Sequence, residues 1–308
     1  MLKPKRLKLG DTIGVVAPGS PTTEEKVEKV YNKLTKMGFK VVMGKSCYSK
    51  YGYLAGRDEI RAEDLNNMFG DKEINGIICL RGGYGTIRIL DLLDYSLIRK
   101  NPKVFVGYSD ITALHIAINK LSNLVTFHGP MAASDLIGHI SEFSLNSLYN
   151  SILNEQFNPF IENPLEELKA INGGVAEGEI IGGNLSLIAS TIGTPYEIDT
   201  KGKILFIEEI GEEPYRIDRM LTQLRLSNKL QEVEGIILGN FNNCSPEDPD
   251  MSLTLEEVID NIIKPLNKPT LLNLQAGHCE PTITIPFGVK ARLDADRKQI
   301  TILEKPTL

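Results

Sequence analysis

Histidine titrates near neutrality and is the commonest general base. This 308-residue chain has four: His115, His128, His139 and His278. His115 keeps helical spacing with Ile111 and Leu114 and reads as packing. His139 stands in a mixed polar and apolar stretch with no partner signal. His128 lies in the tight turn Phe127-His128-Gly129-Pro130. His278, in Gly277-His278-Cys279-Glu280-Pro281, is carried on a short loop abutting strands, where catalytic side chains are often held. Such a base would serve a nucleophile. Lys103 to Asp110 (KVFVGYSD) reads strand, glycine, serine, helix. A serine on a sharp strand-to-helix turn lifts its hydroxyl above the sheet edge, beside the free N–H groups of a helix start. Ser109 fits the Gly-x-Ser part of such an elbow, although Ile111 stands where that motif has glycine. The other reading makes Ser109 a plain N-cap.

Two further groups complete a hydrolytic constellation. Arg81-Gly82-Gly83-Tyr84-Gly85 follows an apolar run and opens a helix. It lacks the Lys-Ser/Thr of a P-loop and does not match G-x-G-x-x-G. As a loop at the same sheet edge as Ser109, it would let the Gly83 and Asp110 N–H groups form an oxyanion hole. As a plain turn, it needs only glycine dihedrals. Glu208 ends the apolar run Phe206-Ile207-Glu208, so its carboxylate is half-buried and needs a partner. That partner is a histidine N–H on one reading, and Arg216 or Arg219 on the other.

The elements that must position these residues follow from periodicity and punctuation. Thr12–Ala17 is a strand ended by Pro18-Gly19-Ser20-Pro21. Thr22 and Thr23 precede two acids and the spacing Val27, Val30, Tyr31, Leu34, a capped amphipathic helix stopped at Gly38. Strands are expected at 39–43, 76–80 and 104–106, with helices at 58–68, 87–93 and about 110–120. This alternation implies a mostly parallel sheet covered on both faces. From residue 154 to 170 the chain is polar, carries Pro159 and Pro164, and reads as a linker. Beyond it, helices are expected at 184–192, 214–226 and 253–263, and strands at 203–207 and 233–238. Short tail strands are expected at 282–285, 289–293 and 299–303. The fold class is therefore α/β: a parallel-sheet domain of flavodoxin or amidotransferase type over 1–153, then a smaller mixed α+β domain over 171–308.

Composition excludes several classes. A net charge of −6 without a basic block argues against a nucleic-acid backbone binder. No apolar run reaches the ~18 residues of a membrane helix, and Met1–Leu9 has no signal-peptide core, so a soluble, unsecreted protein is expected. The four cysteines, Cys47, Cys79, Cys244 and Cys279, have no C-x-x-C spacing, and no metal-ligand cluster such as H-E-x-x-H is present. Neither metal nor cofactor is expected. Cys79 lies inside a strand and Cys279 follows a histidine, so neither occupies an elbow. A non-catalytic, flavodoxin-like module binding a peptide or nucleotide at the glycine loop is the rival class.

At these residues the chain resembles the LD-carboxypeptidase family of serine peptidases, in its muramoyl-tetrapeptide branch. Seven stretches carry the likeness in order: APGSP from Ala17, YLAGRDEIRAEDLN from Tyr53, RGGYG from Arg81, GYSDIT from Gly107, GGNL from Gly182, IEEIGEEPYRIDR from Ile207, and GHCEPTITIPFG from Gly277. The resemblance implies a Ser109–Glu208–His278 triad in a cleft between two domains, without metal. It implies release of D-alanine from the L,D bond of a murein tetrapeptide, in the cytoplasm, by a homodimer. A sister branch inactivates microcin C-like peptide nucleotides; the loop from Gly211 looks more like the murein branch. Glu209 stands where many relatives have Asp, and strand alternation lets only one of the two acids face the cleft. Arg81 or backbone N–H groups near Ser109 are expected to hold the substrate carboxylate. Asn184 either contacts substrate or caps a helix.

Overall fold

The computed structural model describes all 308 residues, which form two compact units. The first comprises Met1–Asn158 with Thr284–Gly288 and Pro306–Leu308. Its strands are β1 (Thr12–Val16), β2 (Lys40–Met43), β3 (Gly76–Cys79), β4 (Val104–Gly107) and β5 (Thr126–His128). They are parallel in the order β5-β4-β3-β1-β2, and the tail segment Ile285–Phe287 adds an antiparallel edge beside β5. Strands β3 and β4 are buried at every position. That is what a parallel sheet with helices on both faces requires. Helix α1 (Glu24–Lys36) starts on the Thr23 side chain, buries Val27, Val30 and Leu34, and gives way to Gly38 at φ +94°. Helices α2 (Asp58–Gly70), α3 (Tyr95–Lys100), α4 (Thr112–Ala117) and α5 (Glu142–Ile152) complete the unit. The chain runs from β1 to β2 on one side and then to β3 on the other. The switch point between β1 and β3 is where open α/β sheets bind ligands.

The second unit comprises Pro159–Ile283 and Val289–Lys305. Its strands are β6 (Phe160–Ile161), β7 (Lys169–Asn172), β8 (Val175–Asn184), β9 (Ile204–Ile210), β10 (Gly235–Asn242) and β11 (Thr270–Leu272); with the tail segment as β12, β13 (Lys290–Asp294) and β14 (Gln299–Ile302) follow. The sheet order is β6-β14-β13-β8-β9-β10-β11-β7, with β8 to β11 parallel. Helices α6 (Leu185–Thr191), α7 (Pro214–Leu226) and α8 (Leu255–Ile262) connect the parallel strands. The linker and the tail both depart from the sequence reading. The stretch 154–170 includes β6, which pairs with β14, and the start of β7. The tail does not stay in the second half, because β12 and the last three residues belong to the first unit.

Candidate active site

In the first unit, three neighbouring strands present their C-terminal loops together. After β4, Tyr108 is extended (φ −154°, ψ −171°) and Ser109 turns to φ +64°. A left-handed backbone is uncommon for a residue with a Cβ, and it persists only where surrounding structure over-determines it. Here the turn is packed too closely for any side chain at Gly107, where a Cβ would lie 2.9 Å from Ile111 and 3.2 Å from Cys79. The half-buried Ser109 thus stands on a strained strand-to-helix elbow.

The loop after β3 lies against that elbow. A Cβ on Gly82 would stand 3.2 Å from Ser109 Oγ and 3.3 Å from the Asp110 nitrogen. The Gly82 carbonyl accepts from Ser20 N–H at 3.1 Å. In a trans peptide, that sends the Gly83 N–H to the opposite side. Gly83, at φ +102°, has no room for a side chain beside Ser20 Oγ. The loop after β1 joins both: Tyr84 N–H donates to Ser20 Oγ, and Arg81 Nη1 to the Pro21 carbonyl at 3.3 Å. Asp110 turns its carboxylate inward to accept from Thr86 N–H, and burial raises its pKa. Its main-chain N–H, not its acid, is what the elbow offers.

In the second unit, β9 ends in adjacent acids that take opposite faces. The fully buried Glu208 accepts from His278 Nδ1 at 2.7 Å through Oε2 and leaves Oε1 without a partner. Gly277 allows that approach: at φ +109°, a Cβ there would lie 2.5 Å from Glu208 Oε2. Asn242 Nδ2 holds the His278 carbonyl at 2.9 Å. A carboxylate on Nδ1 fixes the tautomer that leaves Nε2 as the proton acceptor. Glu209 faces the other way and accepts from Asn184 Nδ2 (2.7 Å), Ser186 N–H and Ser186 Oγ. Of the two acids, Glu208 is therefore the one that meets the histidine.

Comparison with known proteins identifies the family. The LD-carboxypeptidase N-terminal domain matches residues 13–129, and the LD-carboxypeptidase C-terminal domain matches residues 177–293. A probable murein peptide carboxypeptidase of Bacillus subtilis is 46% identical over 303 residues, 97% of this chain and 94% of the relative. This chain belongs to the LD-carboxypeptidase family. Among solved structures, a muramoyltetrapeptide carboxypeptidase from Oxalobacter formigenes superimposes with a TM-score of 0.84 at 30% identity, covering 96% of this chain and 100% of that one. A microcin C7 self-immunity protein MccF with adenosine monophosphate superimposes at 0.91, with 27% identity and full coverage of both chains. That MccF carries a tryptophan-to-phenylalanine substitution, whereas the present chain has no tryptophan.

Within this LD-carboxypeptidase, two expectations change. Asn184 is buried as the N-cap of α6, accepting from Leu187 N–H and donating to Glu209, so its amide is committed to the fold rather than to a ligand. Gly82, not named from sequence, makes the close approach to Ser109. Arg61 was also missed. It is fully buried on α2 and donates to the carbonyls of Pro18 and Gly85 while pairing with Asp58, so it ties the β1 and β3 loops together. The sequence signal was weak, because an arginine on an amphipathic helix ordinarily marks its solvent face. Cys279 follows the histidine, but burial pushes its thiol up to about 12, which leaves it protonated near neutrality.

Proposed function

We propose that this LD-carboxypeptidase removes the terminal D-alanine of murein tetrapeptides through an acyl-serine intermediate. The observation that carries the reading is Ser109, a non-glycine residue at φ +64° on a strand-to-helix elbow. Ser109 Oγ attacks the carbonyl of the L,D bond while His278 Nε2 takes its proton. The Gly83 and Asp110 N–H groups hold the oxyanion. His278 returns the proton to the leaving amine, D-alanine departs, and water hydrolyses the ester by the same relay. Glu208 keeps the histidine tautomer and stabilises the imidazolium. Arg81, half-buried beside the elbow, receives the substrate carboxylate. In this reading the enzyme is a cytoplasmic homodimer serving peptidoglycan recycling. Its four free cysteines suit a reducing compartment, and no helix is long and apolar enough to cross a membrane.

The test is Ser109→Ala, assayed by D-alanine release from tetrapeptide and by labelling with a serine-directed fluorophosphonate. Both are expected to vanish with the fold intact; retained turnover would refute the mechanism. The second reading, hydrolysis of microcin-type peptide nucleotides, is favoured by the superposition on MccF. Parallel assays on both substrates separate the two readings, and sedimentation separates a dimer from a 34.1 kDa monomer.

A further inference from the structure

We propose, on the reading of Ser109 as the nucleophile, that His115 is a positioning residue whose Nε2–H, donated to the Gly107 carbonyl, holds the elbow in its left-handed turn. His115 lies on α4 and is wholly buried, and its Nε2 is 2.8 Å from Gly107 O. A carbonyl only accepts, so Nε2 carries the proton. Nδ1 is buried with no hydrogen-bond partner, so the ring is neutral; a second N–H there would be an unpaired donor. Burial lowers the ring's pKa to about 4, in keeping with that state.

The ring cannot turn away to relax the bond. Phe105 of β4 and Phe287 of β12 meet it edge-on, each at 5.5 Å between centroids, and the His128 ring lies 6.5 Å away. Gly107 is the last residue of β4, two before Ser109. Its carbonyl has one other donor, Gly129 N–H at 3.2 Å, so the imidazole bond is the shorter of two that orient this peptide. A histidine used only for packing would bring two ring nitrogens into the core at a desolvation cost that phenylalanine avoids. The nitrogen that is bonded points at the peptide leading into the strained serine.

The experiment has one arm on the wild-type enzyme and two on variants. Nitrogen-15 NMR of the histidine rings is expected to show His115 as the neutral Nε2–H tautomer throughout the neutral range. Glutamine places an N–H donor at nearly the Nε2 position, so His115→Gln is expected to keep kcat within about threefold of wild type. His115→Phe fills the volume without a donor. It is expected to lower kcat by about 5- to 100-fold, leave KM within about twofold, and slow fluorophosphonate labelling by the same factor as kcat. An Nδ1–H tautomer would overturn the proposal. So would a folded His115→Phe enzyme with wild-type kcat, or a glutamine variant as slow as the phenylalanine one. Should His115→Phe fail to fold, the tautomer and His115→Gln decide. Failure of the nucleophile reading shows separately, as turnover by Ser109→Ala.

Discussion

Replacing Gly82 by alanine tests the oxyanion geometry with a single methyl group. That methyl would stand 3.1 Å from Ser109 Cβ, 3.2 Å from Ser109 Oγ and 3.3 Å from the Asp110 nitrogen. Comfortable contact between carbons starts at about 3.5 Å, so Ser109 Cβ must give by roughly 0.4 Å. Gly82 is not among the glycines with positive φ, so its backbone accepts alanine. Overpacking of this size costs about 1 kcal/mol, the low end of its usual range, which corresponds to a fall in Tm of about 2–4 °C. Catalysis should suffer far more. The methyl takes the space in front of the Asp110 N–H, where the tetrahedral oxygen is proposed to lie. Losing one oxyanion donor costs about 10²–10³ in kcat, or roughly 3–4 kcal/mol. The assay is D-alanine release from tetrapeptide, read beside a circular-dichroism melt of the same preparation. A folded Gly82→Ala enzyme whose kcat stays within about threefold of wild type would refute this placement of the developing charge. A collapse in Tm would show that the elbow cannot yield as reasoned.

Glu208→Gln keeps the size and an acceptor for His278 but removes the charge that supports the imidazolium. It is expected to lower kcat by about 10²–10⁴, and a wild-type rate would sink the pairing. Glu209→Gln should instead act on stability, because Glu209 accepts from the donors that start α6. Burial is the largest cause raising the Glu209 pKa, so its folded form binds a proton more readily than the unfolded chain. Stability from this group is present below the ordinary value of 4.5 and is lost as pH rises through the folded pKa. Melts at increasing pH should fall less steeply in Glu209→Gln, and an unchanged slope would contradict that sign. Arg81→Ala is expected to raise KM about tenfold or more with a smaller change in kcat, and the reverse pattern would remove Arg81 from carboxylate binding. Cys279→Ala should keep wild-type turnover, since its thiol is protonated at neutral pH; loss of activity in a folded variant would reopen a thiol role.

The parallel sheet was legible because β3 and β4 are short, wholly apolar and bounded by glycine, and because α1 is punctuated by a threonine cap and Gly38. Strand β8 was not. It contains Gly178, Gly182 and Gly183, and glycine weakens the strand signal. What keeps it a strand is tertiary: a side chain at Gly182 would place its Cβ 1.8 Å from the Phe206 carbonyl of β9. The departure of β12 to the first sheet was equally hidden, since its pairing with β5 joins Ile285 to His128 across half of the chain. Periodicity reports local conformation, not which sheet a strand enters. The contact of Gly82 with the elbow was hidden for a related reason. Residue type shows that a turn needs glycine, but only coordinates show which missing side chain faces Ser109.

The same limit explains the two acids on β9. Alternation established that Glu208 and Glu209 face opposite sides, yet nothing local says which side holds the histidine. The decision rests with Gly277, far along the chain: any side chain there would collide with Glu208, so the histidine loop closes on that acid because residue 277 has none. On the nucleophile side, Gly82 bears the same relation to Ser109 and Asp110. In each half of the proposed chemistry a glycine stands where a Cβ would crowd a reacting group, 2.5 Å from Glu208 Oε2 at Gly277 and 3.2 Å from Ser109 Oγ at Gly82. Substitution at Gly277, whose φ of +109° alanine also resists, should damage folding and catalysis together, whereas substitution at Gly82 should damage catalysis far more than folding.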